Sequence, residues 1–102
     1  MSRNDARRTL IAYDVPNDRR RTRLADALGS YGDRIQYSVF VVDISPARLL
    51  RLEDAIRGII DGEEDSVLFC DLGRVADLEE HRRRFRFLGQ SREPTPDGPL
   101  VF

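Results

Sequence analysis

Tyr13-Asp14 closes a short apolar run, Leu10-Ile11-Ala12-Tyr13, and four arginines follow it closely: Arg19, Arg20, Arg21 and Arg23. Pro16-Asn17-Asp18 lie between and turn the chain. The pattern reads as a strand ending on a carboxylate, then a helix whose first turn carries cations. A helix N-terminus is already partially positive, so each cation there is opposed by roughly 0.3–1 kcal/mol. A stable fold gains nothing obvious from that placement. An anion site does, because free N–H groups and guanidinium forks converge there. A carboxylate beside it is what metal-assisted phosphodiester hydrolysis needs. Asp14 has a second reading as a turn residue bonded to loop backbone, and the arginines have one as a solvated helix face.

Other candidates are weighed in the same way. Arg34 precedes an aromatic-rich strand and makes either a phosphate contact or a surface ion pair. Phe40 either stacks on a base or belongs to the core or a dimer interface. Tyr13 either orients a phosphate through its hydroxyl or is a hydrogen-bonded core residue. His81 is the single histidine, set between Glu80 and Arg82, and reads as solvated. Cys70 has no partner for an internal disulfide, and its neighbours Leu68, Phe69 and Leu72 point to a buried, inert thiol. A reducing cytoplasm is the expected location.

These residues need a scaffold. Strands are expected over 8–14, 35–43, 66–72 and 85–89, the second being the clearest because it is dense in β-branched and aromatic types. Helices are expected over 18–30, with Asp18 as N-cap, and from Ser45-Pro46 to about 60. Gly29 and Gly32 offer stop signals for the first helix. Residues 75–84 read as a short polar helix or an exposed loop. Residues 91–99 hold three prolines and a glycine and read as a linker before the apolar end Leu100-Val101-Phe102.

We read the plan as an α+β, ferredoxin-like βαββαβ domain: a four-stranded antiparallel sheet with both helices on one face. The other face would be bare, with Phe40 and Val42, or the opposite set, pointing towards it. A bare apolar sheet face invites a second copy, so a homodimer through the sheet face is expected, with the C-terminal segment adding as an edge strand to its partner.

A chain of 102 residues suits one modest core. No apolar run approaches the ~20 residues of a membrane span. The net charge of −1 gives no global field for coating nucleic acid. All 17 basic residues are arginine, so every cation can grip phosphate bidentately and none titrates near neutrality.

The segments Tyr13-Asp14, Asp18-Arg19-Arg20-Arg21, Tyr31-Gly32, Arg34-Ile35-Gln36-Tyr37-Ser38-Val39-Phe40 and Asp65-Ser66-Val67 together resemble the CRISPR-associated Cas-two proteins, small partners of the Cas-one integrase in spacer acquisition. The resemblance runs from about residue 9 to about 73 and loosens from Arg74 onward. It implies a homodimeric ferredoxin-like domain over 1–90 and a linker with a partner-pairing strand over 91–102. It further implies an endonuclease that cuts RNA or DNA with Mg²⁺ or Mn²⁺ and binds duplex DNA with the integrase. Asp14 falls on the metal-site position and Tyr13 beside it in the catalytic site. Arg21, Arg23 and Arg34 fall on the active-site arginines, with Arg20 added by position, and Phe40 on the second-strand aromatic. In that setting two copies of Asp14, one from each protomer, would share the ion. A non-catalytic DNA-binding scaffold and an RNA-cleaving toxin of the same fold are the alternatives.

Overall fold

The computed structural model describes residues 5–78 and 85–89. Its elements are β1 (Arg7–Asp14), α1 (Asp18–Gly29), β2 (Gly32–Gln36), β3 (Val39–Ile44), α2 (Pro46–Arg57), β4 (Ser66–Arg74) and a single turn, α3 (Val75–Leu78). The sheet order is β2-β3-β1-β4, and every neighbouring pair is antiparallel. This is the expected ferredoxin-like plan, reached by a different division of the chain. Residues 35–43 are not one strand. They contain a tight hairpin whose tip is Tyr37-Ser38, and the fourth strand of the sheet is 66–74. Residues 85–89 form no strand.

The hairpin carries none of the Asn-Gly or Asp-Gly signals that usually announce one. No described non-glycine residue has a positive φ. The pairing instead slips between Arg34 and Gln36, so that Arg34 faces Phe40 while Gln36 faces Val39. The extra residue makes a bulge, which bends the strand and re-aims the tip. At the other end of β2, Gly32 lies against Val42. A Cβ there would sit 2.2 Å from the Val41 carbonyl oxygen, so only glycine fits.

The strands present alternate residues to opposite faces. Ile11, Tyr13, Phe40, Val42 and Ile44 point inward against Leu24 and Leu28 of α1 and Leu52 and Ile56 of α2. Ile11, Leu24, Leu28 and Leu52 have no exposed surface, and burying each contributes about 1.5–3 kcal/mol. On the outer face Ile35 and Val41 pack with Leu10, Val39, Phe85 and Phe87. The bare face therefore belongs to Val39 and Val41, not to Phe40 and Val42. It is partly covered by the chain's own segment at 85–87.

The helices start where side chains satisfy their free N–H groups. Asn17, not Asp18, caps α1: its Oδ1 accepts from the Arg20 amide at 2.9 Å. Ser45 caps α2 with Pro46 behind it, as expected, and its Oγ accepts from the Arg48 amide. Cys70 corrects the sequence reading, because its thiol is exposed. It sits on β4 opposite Leu10, in the row with the exposed Leu68. His81, Arg82, Arg83, Arg84 and the segment 91–102 lie outside the described residues, as does the expected partner-pairing strand. Among the described residues, no helix is long and apolar enough to cross a membrane.

Candidate active site at the hairpin tip

The C-terminal end of β1, the N-terminus of α1, the β2–β3 tip and the start of β4 meet at one end of the sheet. Asp14 is the last residue of β1 and faces Ser66 of β4. Its side chain is exposed and makes no hydrogen bond or ion pair among the described residues. The turn-residue reading, with the carboxylate bonded to loop backbone, therefore does not hold. Asp14 lies one residue out of step with the core residues Ile11 and Tyr13, so it belongs to the outer face, along with Leu10 and Ala12.

Tyr13 turns inward and is 7% exposed. Its hydroxyl donates to the Tyr37 carbonyl oxygen at 3.3 Å and accepts from an Arg34 nitrogen at 3.5 Å. The Tyr13 amide donates to the Ser38 carbonyl at 3.1 Å. Both capacities of the hydroxyl are occupied, so Tyr13 fastens the hairpin to β1 and does not present a free hydroxyl to a phosphate.

The arginines separate into three groups. Arg21 and Arg34 converge on Tyr37. The Arg21 Nε donates to the Tyr37 hydroxyl oxygen at 3.1 Å, its Nη1 donates to the Val15 carbonyl at 2.9 Å, and its Nη2 pairs with Asp18. Arg34 donates twice to the Tyr37 carbonyl, at 3.1 and 2.8 Å, and its guanidinium lies 5.4 Å from the Tyr37 ring centroid and 5.3 Å from that of Phe40. Arg34 makes no ion pair among the described residues, so the surface-pair reading does not hold. Arg20 points elsewhere. It grips Asp65 in a fork, at 2.6 and 3.0 Å, with Glu64 at 3.5 Å, and ties α1 to the start of β4. That hydrogen-bonded guanidinium holds the Asp65 carboxyl below the usual carboxylate range, assisted by the Asp61 amide. Arg23 is exposed with no partner among the described residues, and it does not join the cluster at the tip.

Phe40 is a correction. Its ring is 3% exposed, stacked 6.3 Å from Tyr13 inside the core, and has no face to offer a base. The residue that sequence reasoning missed is Tyr37. The sequence pattern places it on one face of a continuous strand, whereas it stands at a turn, 67% exposed and held between two guanidiniums. The missing signal was the turn itself.

A hard cation is commonly held by one or two carboxylates, the rest of its shell being water and phosphate oxygens. The free carboxylate of Asp14 fits that role as a single ligand. Among the described residues, no group of three or more His, Cys, Asp or Glu side chains converges on a metal position. One chain thus offers one oxygen donor group and, beside it, guanidiniums held by mostly neutral oxygens.

Known proteins resemble this chain in sequence and in fold. A CRISPR-associated endoribonuclease of Nitratidesulfovibrio vulgaris is 35% identical over 103 residues, 96% of each chain. The crystal structure of Streptococcus pyogenes Cas2 superposes with a TM-score of 0.70 at 31% identity, over 80% of this chain and 99% of that one. A chain of a partial Cas6-RT-Cas1–Cas2 complex matches with a TM-score of 0.59 at 38% identity, over 65% of this chain and 78% of that one. The family model for CRISPR associated protein Cas2 matches residues 7–80, which takes in β1 with Asp14, the arginine helix and the hairpin, and the chain belongs to that family.

Proposed function

We propose that this chain is a metal-dependent endonuclease of CRISPR adaptation that hydrolyses phosphodiester bonds, with RNA as the first substrate to test. The observation that carries the reading is the unpaired carboxylate of Asp14, set at the same sheet end as two guanidiniums anchored on Tyr37. Endoribonuclease is also the word in the name of the Nitratidesulfovibrio relative. Asp14 would hold Mg²⁺ or Mn²⁺, which when bound lowers the pKa of a water and orients a phosphate. Arg34, Arg21 and the unpartnered Arg23 would bind and orient the polymer's phosphates through charge-assisted hydrogen bonds. Tyr13 would keep the hairpin tip, and with it both anchored guanidiniums, at a fixed distance from β1. One carboxylate per chain supports a twofold homodimer as the working unit, each copy adding its Asp14, since Asp14 shares the outer face with apolar Leu10, Ala12 and Leu68.

The test is a cleavage assay on the purified protein, with and without divalent ion, against Asp14→Ala. We expect cleavage that requires the ion and falls by at least about 100-fold in the variant, the scale of losing a group that stabilises transition-state charge. An unchanged melting curve is expected because the Asp14 side chain is exposed and makes no hydrogen bond or ion pair among the described residues. Cleavage in chelator, or full activity of the variant, would overturn the reading.

A second reading rests on the likeness to a chain of a Cas1–Cas2 complex. In it the same arginine surface holds DNA for a Cas1 integrase and Asp14 is dispensable. Spacer acquisition that survives Asp14→Ala but not Arg21→Glu would favour it.

A further inference from the structure

We propose that Tyr37 is a stacking platform for one unpaired nucleobase at the hairpin tip. Tyr37 is 67% exposed although its backbone is pinned: its carbonyl oxygen accepts from Tyr13 and twice from Arg34. Its hydroxyl accepts from Arg21 and donates to nothing among the described residues, so a proton remains for an incoming oxygen. The aromatic ring is thus held rigidly at a turn, with most of its surface in water. Immobilising a large apolar surface that a free side chain would fold away is costly unless something covers it.

Two clefts flank the ring. One of about 370 Å³ is lined by Arg34, Ile35, Gln36 and Tyr37. The other, of about 260 Å³, is lined by Arg21, Thr22, Ala25, Asp26, Arg34 and Tyr37. Each has a guanidinium for a phosphate and the ring for a base, which is the combination that single-strand binders use: cations track the backbone while aromatic faces receive bases. A duplex keeps its bases stacked on one another and offers the ring nothing. Phe40 cannot take this part, because it is buried beneath the sheet.

The proposal deepens the nucleic-acid reading of the same site, and its test is read by binding in chelator, so that cleavage does not enter. A short fluorescein-labelled oligouridylate is titrated with wild type, Tyr37→Leu and Tyr37→Phe, and the titration is repeated with the same ribose–phosphate strand lacking bases. We expect Tyr37→Leu to weaken oligouridylate binding by about 5- to 150-fold, the worth of one stacked base. Tyr37→Phe, which keeps the ring but also lacks the hydroxyl that anchors Arg21, is the reference: the loss of Tyr37→Leu relative to it should be seen with oligouridylate and not with the baseless strand. The chain has no tryptophan, so Tyr37→Trp adds a lone reporter whose emission oligouridylate should quench and the baseless strand should not. Equal losses on both strands, no loss on either, or an unquenched indole would overturn the platform while leaving Asp14 chemistry standing. Wild type that binds neither strand in chelator would overturn the platform, while the nuclease reading stands or falls on the cleavage assay.

Discussion

Two arginine-rich regions lie within a few residues of each other and are built on opposite principles. At the α1–β4 junction, Arg20 meets Asp65 through two hydrogen bonds, Glu64 stands behind, and the Asp61 amide completes the carboxylate's partners. The guanidinium's charge is fully countered by carboxylates, the Asp65 side chain has no exposed surface, and the pair acts as a strut. At the hairpin tip, Arg34 is held by a carbonyl, a phenol oxygen and two ring faces, with no carboxylate. Asp14 is left without a cation at the same end. Neutral acceptors fix a guanidinium's position without cancelling its charge, and that charge stays available to an anion. Arg21 combines the two, paired with Asp18 and bonded to the Tyr37 hydroxyl and the Val15 carbonyl, so even adjacent arginines of one helix need not share partners.

Removing the strut should cost stability and spare the chemistry at the tip. Asp65→Ala should lower the melting temperature by several degrees, because it leaves Arg20 facing a lost partner and frees the start of β4. Cleavage per folded molecule at low temperature should persist. The same pair gives an acid signature. Arg20 holds the Asp65 carboxyl below its ordinary value of about 3.9, so its stabilisation is fully present above that pH and is lost as pH falls through the lower folded value. Arg7 and Arg74 depress Asp71 and Asp77 in the same sense. Thermal melts from neutrality down to acid should converge for wild type and Asp65→Ala; curves that stay parallel would remove Asp65 from the account.

The tip should behave in the reverse way. Arg34→Ala ought to weaken single-strand binding by about 10- to 100-fold, the worth of a hydrogen bond to a charged group. The slope of log affinity against log salt should become shallower by about 0.7. Its melting temperature should move little, since no carboxylate is orphaned. A large drop in melting temperature with unchanged affinity would make Arg34 a second strut and erase the distinction between the two regions.

Much of this was legible in the residues and some was not, for definable reasons. β1, both helices and β4 followed from apolar periodicity and from the Ser45-Pro46 start, because their boundaries are marked by residues that cap or break. The β2–β3 hairpin was hidden, since Tyr37-Ser38 turns without glycine, asparagine or proline, and the bulge in β2 supplies the bend instead. A single strand over 35–43 puts Tyr37 in a ladder and leaves one strand too few, a gap that the alternation of Phe85-Arg86-Phe87 fills only on paper. Those phenylalanines are apolar because they lie on the outer face, not because they alternate within a sheet. Asp14 was visible as a strand-end carboxylate, but that it has no partner is a matter of tertiary placement. The division between Arg20 and Arg21 was equally beyond reach, because it depends on Asp65, 45 positions away.

Asp33 on β2 is a third kind of carboxylate, neither paired like Asp65 nor open like Asp14: it is half-buried and makes no ion pair among the described residues. Burial pushes its pKa up and the neighbouring Asp43 adds to the effect, although the Asp43 carboxylate is itself forked by Arg8 at 2.8 Å. A raised carboxyl pKa means that the folded state holds the proton more tightly than the unfolded chain. Stability is therefore lost as pH rises from the ordinary carboxylate value through the raised one, and the loss persists at neutrality. Asp33→Asn removes the charge and keeps the shape, so it should raise the melting temperature at neutral pH by about 1–3 °C. The gain should vanish in acid, where Asp33 is protonated in both states. A gain that survives there would assign the effect to packing, and no gain at neutral pH would mean that water reaches the carboxylate as freely as it reaches Asp14.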